Sequence, residues 1–263
     1  MRMLLAAAAA LFISASLHAA KKDAPAKEEN QDGQGVSQRA NPIESTVIIK
    51  NSEGTGTGIM AKAKDTYVIL TNAHVVMGAQ NTICDQHGTV IPYESIGIDS
   101  MGRDLAVFAV KPEILQEKPH FELALLDESC YEMGKEIFVL GNNAGMNVIT
   151  KDKGKIVGVG PDFVEIDAKI VPGASGGPVI KDGWQCVALT TFIVKDVQDW
   201  TNKGTRYEKP RRFAIRLDGL GQFKKVQPAT LSAIGKVRTF ENECFEFYKN
   251  FAVDYTKARS NPA

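Results

Sequence analysis

The chain has 263 residues, of which 44% are hydrophobic and 24% charged, and its 31 basic residues balance its 31 acidic residues. This composition is typical of a globular protein with enough apolar material for a core, and it excludes wholly disordered and collagen-like chains. A balanced charge creates no field that would attract DNA, RNA or an anionic membrane, so we expect no nucleic-acid partner. No segment repeats at a fixed period, which argues against solenoids and propellers.

The first twenty residues have the pattern of a signal peptide. Arg2 precedes an uninterrupted apolar run over residues 4–13, and the small residues Ala19 and Ala20 stand just before Lys21. A membrane-spanning helix needs about twenty apolar residues, so this run is too short to cross a bilayer. We expect residues 1–20 to be removed and the mature protein to be exported, to the periplasm or the cell exterior, without stable membrane insertion. An uncleaved N-terminal anchor is the alternative.

Residues 21–42 are rich in Lys, Asp, Glu, Gln, Gly and Ala and predict a disordered linker. Short β-branched and apolar runs, separated by turn residues, then predict a first set of strands at 46–50, 58–61, 67–70, 82–84, 90–93 and 105–110. After a connector at 111–133, a second set is predicted at 136–140, 148–150, 156–159, 163–166, 179–180, 186–194 and 213–217. Strands at this spacing without intervening helices predict an all-β fold of two small barrels.

The segment 220–263 is different. Its apolar residues recur at steps of three and four, which is the period of a helix: Leu231, Ile234, Val237, Phe240, Cys244, Phe247, Phe251 and Tyr255. We therefore predict a helical C-terminal tail. We expect its aromatic stripe to pack on the barrels rather than to face a membrane or a cofactor.

Export also affects the four cysteines, Cys84, Cys130, Cys186 and Cys244. In an oxidising compartment they can form two disulfides, with three connectivities possible, or some can be small buried hydrophobic residues. The spacing includes no CxxC and no neighbouring histidine, so we expect no zinc site. We expect no metal and no cofactor.

A serine flanked by glycines lies between two apolar strands, in the segment 173–178 (GASGGP). A nucleophilic serine needs a tight turn, and a developing oxyanion needs backbone N–H groups aimed at one point. The N–H groups of Gly173 and Ser175 are the candidates for that role. Taken alone, the same loop could be an ordinary hairpin turn.

A serine hydroxyl needs a base to accept its proton, and after signal removal the histidines are His74, His87 and His120. His74 closes a buried strand, whereas His87 lies in a predicted turn and His120 in the connector, where we expect solvated side chains. The base needs a carboxylate to orient it, and Asp104 stands at the head of an apolar strand. We interpret Asp99 and Asp127 as turn residues.

With these residues in place, the chain resembles the chymotrypsin-like serine peptidases, and most closely the bacterial HtrA branch. The resemblance covers about residues 43–219 and rests on motifs in the family's order: GTGTG at 54–58, TNAHVV at 71–76, DLAV at 104–107 and DAKIVPGASGGP at 167–178. It implies two six-stranded antiparallel β-barrels of the chymotrypsin type, at about 43–110 and 134–219.

The resemblance also implies roles for individual residues. Ser175 would be the nucleophile, His74 the general base, Asp104 its orienting acid, and Gly173 and Ser175 the oxyanion hole. Five residues would contribute to substrate binding: Lys169, Thr190, Thr191, Phe192 and Ala214. The implied partners are protein or peptide substrates, and the oligomeric state stays open.

Three departures from the family pattern limit the analogy. Only about 45 residues follow Asp218, too few for the PDZ domain that usually follows in HtrA enzymes, so we expect none. Ala174 precedes the nucleophile, where digestive members have Asp and HtrA enzymes commonly Asn. Lys169 stands at the pocket floor, where HtrA enzymes tend to have Ala. The favoured hypothesis is an exported serine endopeptidase, and the alternative is a catalytically silent peptide-binding or chaperone-like module on the same fold.

Overall fold

The computed structural model describes residues 41–63, 65–123, 126–181, 184–194 and 210–260. In the last helix it describes side chains only as far as Asn250, and not those of residues 242, 245, 248 and 249. The predicted signal peptide, and the predicted linker up to residue 40, lie outside these ranges.

The described part of the chain is built mainly from β-strands, in agreement with the predicted all-β class. The strands of its first half are β1 (Thr46–Asn51), β2 (Gly54–Ala63), β3 (Thr66–Thr71), β4 (Thr82–Cys84), β5 (Ser95–Asp99), β6 (Ala106–Ala109) and β7 (Phe121–Glu122). Those that follow are β8 (Glu136–Gly141), β9 (Thr150–Val159), β10 (Phe163–Ile166), β11 (Pro178–Lys181), β12 (Gln185–Val194), β13 (Arg211–Arg216) and β14 (Phe223–Val226).

The second half is the closed antiparallel barrel that the resemblance implies. Its six strands follow one another in the order β10, β13, β12, β11, β8 and β9. Ile137, Val139 and Leu140 of β8 and residues 186–191 of β12 are buried, whereas β9 buries only Ile156. The closure of these six strands into a barrel leaves no free strand edge along most of this half.

The first half differs from the six-stranded barrel expected there. It is an eight-stranded sheet in the order β14, β5, β6, β3, β2, β1 and β4, with β7 pairing in parallel with β2. Three of its strands, β5, β7 and β14, were not predicted, and the segment 90–93 provides only one bridge, between Cys84 and Val90. The chain returns after the second barrel to add β14 to this sheet, a pairing too distant in sequence for a local pattern to predict.

An apolar layer joins the two halves. It contains buried residues of both, with Leu70, Val107 and Phe121 from the first sheet and Leu140, Leu189 and Ile215 from the barrel. Each half also has its own core. Because protein interiors are close-packed, this shared layer fixes the position of one half relative to the other. It therefore also positions the side chains that lie where the two halves face each other, a region called the cleft below.

The two helices are α1 (Pro112–Leu115) and α2 (Pro228–Ser260), and α2 provides the predicted helical tail. Leu231, in its first turns, is fully buried in the core of the first half. The expectation that the aromatic stripe packs on the barrels is wrong for Val237, Phe240 and Phe247, which are 56%, 65% and 66% exposed. Neither helix, within the described residues, has the length and apolar content that a membrane crossing requires.

The four cysteines are free thiols in the structure, so the pairing that the sequence left open is not made. Cys130 and Cys186 are buried, which fits the interpretation as small hydrophobic residues. Burial raises the pKa of the Cys186 thiol far above its ordinary value, so this side chain stays protonated at neutral pH.

Leu231 anchors α2 to the first half, so its truncation should be costly. We expect Leu231→Ala to lower the free energy of unfolding by about 2–4 kcal/mol, because it removes buried methyl groups and leaves a cavity. Urea unfolding followed by circular dichroism measures this loss. Val157→Ala, at a position 46% exposed on β9, is the control and should change the same quantity by less than about 0.5 kcal/mol. Equal effects would contradict the anchoring role.

Candidate active site

The predicted site residues meet in the cleft between the two halves. His74 lies in the short 3-10 turn Ala73–Val76, which is separated from the end of β3 by Asn72 alone. Val75 and Val76 on the same turn are buried in the core of the first half, so the turn cannot rotate freely. The His74 side chain, 28% exposed, is thereby held at the edge of the cleft.

Asp104 approaches His74 from the neighbouring loop, just before β6. Its Oδ2 lies 2.7 Å from Nδ1 of His74, and its Oδ1 accepts the His74 backbone N–H at 3.0 Å. Asn72 fixes the same loop, because its side-chain amide donates to the Asp104 carbonyl at 2.9 Å. Two contacts to one carboxylate define both the position and the orientation of the imidazole.

The carboxylate of Asp104 is kept ionised by its surroundings. Burial by itself would raise the pKa of Asp104, but the hydrogen bond and charge of His74 and the hydroxyl of Thr191 lower it below its ordinary value. The ionised Asp104 carboxylate accepts a hydrogen bond from the N–H at Nδ1 of His74. Nε2 is then the ring nitrogen without a proton, and it is the basic one. The arrangement therefore prepares the opposite ring nitrogen to accept a proton.

Thr191 is the second group that holds Asp104, a contact that the sequence did not predict. Its hydroxyl donates to Oδ2 of Asp104 at 2.6 Å across the cleft. The register of β12 against β13 shifts between Thr190 and Phe192, so Thr191 is the extra residue of a β-bulge. A bulge breaks the strict alternation of a strand and redirects a side chain. It aims Thr191 at the first half, although the resemblance implied that Thr191 binds substrate.

Ser175 lies on a loop whose backbone shape requires glycine. Gly173 and Gly176 have φ values of +100° and +83°, in the left-handed region that side chains disfavour. A Cβ on Gly173 would lie 2.2 Å from the Asn142 carbonyl oxygen, and one on Gly176 would lie 2.1 Å from that of Thr57. The glycines thus allow the loop to pack directly against the backbone on both sides of Ser175.

Thr57 on β2 holds this loop from the other half, and sequence reasoning missed it. Its N–H donates to the Ser175 carbonyl at 2.8 Å and its hydroxyl to the Gly173 carbonyl at 2.7 Å. The same hydroxyl accepts the N–H of Asn142 at 2.9 Å. The only sequence signal was the alternation of threonine and glycine at 54–58, which identified the strand but not this contact.

The N–H groups of Gly173 and Ser175 donate to no protein group within the described ranges. The Pro172 carbonyl accepts the N–H of Ala144 at 2.9 Å. In a trans peptide the C=O and N–H point in opposite directions, so this bond turns the Gly173 N–H away from Ala144. Ala144 itself has a φ of +61° in the turn Asn143–Gly145, and its positioning of the Gly173 peptide was not predicted from sequence.

The Ser175 hydroxyl donates to the Thr191 carbonyl oxygen at 3.1 Å. Among the described residues it makes no hydrogen bond with His74. The structure thus brings His74, Asp104 and Ser175 to one cleft and joins the first two directly. Thr191 connects to both ends of the set, through its hydroxyl to Asp104 and through its carbonyl to Ser175.

The remaining predicted binding residues have varied environments. Thr190 is buried and its hydroxyl donates to the Ala174 carbonyl, which stabilises the serine loop rather than lining an open space. Ala214 is also buried, and Phe192 is 41% exposed and stacks on Phe213. Lys169 is exposed to solvent. Residues 195–209, between β12 and β13, lie outside the described ranges.

The residues that the sequence analysis set aside lie away from this cleft. His87 is exposed, as expected, but His120 is half-buried and packs edge-on against Tyr67, so its predicted solvation is wrong. The Asp99 carboxylate accepts backbone N–H groups of its own turn, and Asp127 caps a short helical turn. No group of three or more metal-ligating side chains occurs in the described part of the chain.

The contact between Thr191 and Asp104 yields a test by pH. We expect Thr191→Val to lower the free energy of unfolding at pH 7 by about 1–2 kcal/mol, because a hydrogen bond to a charged acceptor is lost. The folded-state pKa of Asp104 lies below its unfolded value, so bonds to its carboxylate stabilise the fold above about pH 4 and are lost as pH falls through the folded pKa.

The deficit of Thr191→Val should therefore shrink on acidification below that range, as measured by urea unfolding from pH 7 to pH 3. Thr82→Val, at an exposed position, is the control, and its small effect should not vary with pH. A deficit for Thr191→Val that is constant across the series would mean that the hydroxyl does not act on an ionised Asp104.

Comparison with known proteins agrees with this architecture. The trypsin-like peptidase domain family matches residues 56–189. A Synechocystis serine protease named HhoB is 33% identical over 159 residues, which cover 56% of this chain and 36% of that protein. A DegP-like periplasmic serine endoprotease of Brucella suis is 30% identical over 146 residues, covering 52% and 27% of the two chains.

The crystal structure of the serine endoprotease from Yersinia pestis superposes with a TM-score of 0.52 at 24% identity, covering 68% of this chain and 60% of that one. At this identity the superposition establishes the fold alone. The chain spans 36% of the length of the Synechocystis relative and 27% of the length of the Brucella relative. The predicted resemblance is confirmed: more than half of the chain matches the family's domain, and the protein belongs to the trypsin-like peptidase domain family.

Proposed function

We propose that this protein is an exported serine endopeptidase that hydrolyses peptide bonds through Ser175, His74 and Asp104. The observation that carries the proposal is the 2.7 Å contact between Nδ1 of His74 and Oδ2 of Asp104, made in the cleft that also holds Ser175. A histidine on a turn, paired with a half-buried carboxylate and placed near a serine in a glycine-rich loop, is the arrangement that activates a hydroxyl. Relatives named as periplasmic serine endoproteases support both the reaction and the export.

In the first step, the Ser175 hydroxyl leaves the Thr191 carbonyl and gives its proton to Nε2 of His74 as its oxygen attacks the substrate carbonyl carbon. This exchange of partners needs a movement of the Ser175 side chain, and catalytic hydrogen bonds are often completed only when substrate is present. Asp104 stays a carboxylate and stabilises the imidazolium that forms. The hydroxyl of Thr191 keeps Asp104 in place during the transfer.

The attack converts the substrate carbonyl oxygen into an oxyanion. The N–H groups of Gly173 and Ser175 are the donors for it, since neither is used inside the protein among the described residues. His74 then donates its proton to the leaving amine, and the acyl group remains on Ser175. Water, deprotonated by His74, releases the second product and restores the serine.

The alternative function is a peptide-binding or chaperone-like module that uses the same cleft without turnover. Such a module needs an open cleft and a strand edge, but it does not need His74, Asp104 and Ser175 together. The contacts of Thr191 and Thr57, which hold the carboxylate and the serine loop, support the peptidase. The two functions differ in whether Ser175 reacts.

We expect a serine-directed fluorophosphonate to label the protein at Ser175. Ser175→Ala and His74→Ala should abolish both labelling and proteolysis, because either change removes the activated nucleophile. Asp104→Asn should lower turnover by about 10⁴-fold with the fold retained, because the amide holds His74 in the wrong tautomer. Labelling is followed by intact mass and peptide mapping, with and without an unfolded protein substrate.

Matched variants make this experiment specific. Ser129→Ala and His87→Ala replace the same residue types at exposed positions outside the cleft and should leave labelling and proteolysis unchanged. A folded wild-type protein that takes no label and cleaves nothing in either condition would favour the binding module instead.

We expect cleavage after small or medium apolar residues and poor cleavage after Arg or Lys. Recognition of Arg or Lys would need an acidic residue at the position that Lys169 occupies. Lys169 is basic and exposed, so this position offers no carboxylate to pair with a cationic side chain of the substrate. A peptide library with varied residues before the scissile bond measures the preference. Lys169→Ala should retain the apolar preference, since the side chain extends into solvent. A wild-type profile dominated by Arg or Lys would contradict the expectation.

A further inference from the structure

Helix α2 has one face committed to the body of the protein. Leu231 is fully buried, and Gly235 approaches so closely that a Cβ on it would lie 2.6 Å from the Met77 carbonyl oxygen. About one turn further along, Arg238 contacts the Met77 sulfur at 3.5 Å, and the Thr239 hydroxyl lies 3.3 Å from the carboxylate of Glu53 in the β1–β2 turn. These positions are spaced by four, three and one residues, so they lie on one side of the helix.

The apolar stripe lies on the opposite side. Val237, Phe240 and Phe247 are 56%, 65% and 66% exposed, and Cys244 between them is partly exposed. At about 100° per residue, the centre of this stripe is roughly 180° around the helix from the centre of the body contact. The face that holds α2 on the body and the face that carries the aromatics are therefore separate surfaces.

The stripe has the spacing of a helix-pairing seam. Val237, Phe240, Cys244 and Phe247 follow one another at steps of three, four and three, and Phe251 continues the series in the sequence. This is the a and d pattern of a heptad repeat, which two helices bury against each other. From Val237 to Phe251 the seam is about 21 Å long, at 1.5 Å per residue.

We propose that this face of α2 pairs with the same face of a second copy of the chain, as a parallel helix pair in register. The charges beside the seam favour this partner. In the parallel arrangement, Lys236 of one copy lies opposite Glu241 of the second copy, and the reverse pair forms on the other side. An antiparallel pairing centred on Cys244 and Phe247 would instead place Lys236 near Lys257 of the second copy, which is repulsive.

The same charges argue against a lipid surface as the occupant. Glu241, Glu243 and Glu246 all follow Phe240 within two turns, and acidic residues beside an apolar stripe oppose binding to anionic headgroups. Within the described residues, the body contacts the opposite side of α2 and leaves this face to a second copy. The pairing is also independent of the proposed peptidase function, because it uses no residue of the cleft.

The mass of the full chain in solution tests the pairing. Sedimentation analysis of the wild type should give an assembly that dissociates on dilution, and Phe240→Ser/Phe247→Ser should halve its mass with an unchanged circular dichroism spectrum. Met101→Ser/Met133→Ser removes two side chains of similar exposure, 72% and 70%, outside α2 and should leave the mass unchanged. A monomeric wild type, or an assembly that the helix variant leaves intact, would overturn the proposal.

Cross-linking at Cys244 tests the orientation. A parallel pair in register places the two Cys244 residues at the same level of the seam, whereas an antiparallel pair places Cys244 against Phe247. Mild oxidation with copper–phenanthroline, which accepts the electrons of the two thiols, should give a disulfide-linked dimer. Cys244→Ser should abolish it, and Cys84→Ser, at the other partly exposed thiol, should not. A two-chain assembly that forms no Cys244 cross-link would refute the parallel register. Self-association that is seen only with lipid vesicles would also refute it.

Discussion

The hydrogen bonds that Thr57 makes across the two halves are the constraint on which the site depends. Thr57 is a strand residue of the first half, yet its N–H and hydroxyl hold the carbonyls of Ser175 and Gly173 in the second. His74 and Asp104 belong to the same half as Thr57, so these bonds fix the serine loop relative to the half that carries the base. A hydroxyl and a base from different halves can meet reproducibly only if such bonds define the distance between them.

The parts of the site that the sequence predicted are those that short segments encode. His74 follows a buried strand, Asp104 precedes one, and the glycines beside Ser175 have the positive φ values that their loop requires. Each of these features depends on residues within a few positions along the chain. The all-β class was predictable for the same reason, because the strand pattern is local, but that pattern did not distinguish the closed second barrel from the sheet of the first half.

The parts that the sequence did not predict depend on contacts between distant segments. A one-residue bulge aims Thr191 at Asp104, and no local pattern distinguishes a bulged strand from a regular one. The return of β14 to the first sheet pairs Phe223 with Asp99, more than a hundred residues earlier. The role of Thr57 likewise arises only when the two halves meet, and that of Ala144 arises when its turn meets Pro172, 28 residues later.

Helix α2 illustrates a different limit of sequence analysis. Its periodicity predicted a helix and an apolar face correctly, but it did not identify what covers that face. Helix α2 contacts the body through Leu231, through Gly235, which permits close backbone approach, and through the polar side chains of Arg238 and Thr239. After the first turn of the helix, this contact therefore contains almost no hydrophobic residues that a sequence pattern could detect. The larger apolar residues point away from the body. A hydrophobic stripe therefore indicates that a helix has a partner, whereas the small residue Gly235 indicates where the helix meets its own chain.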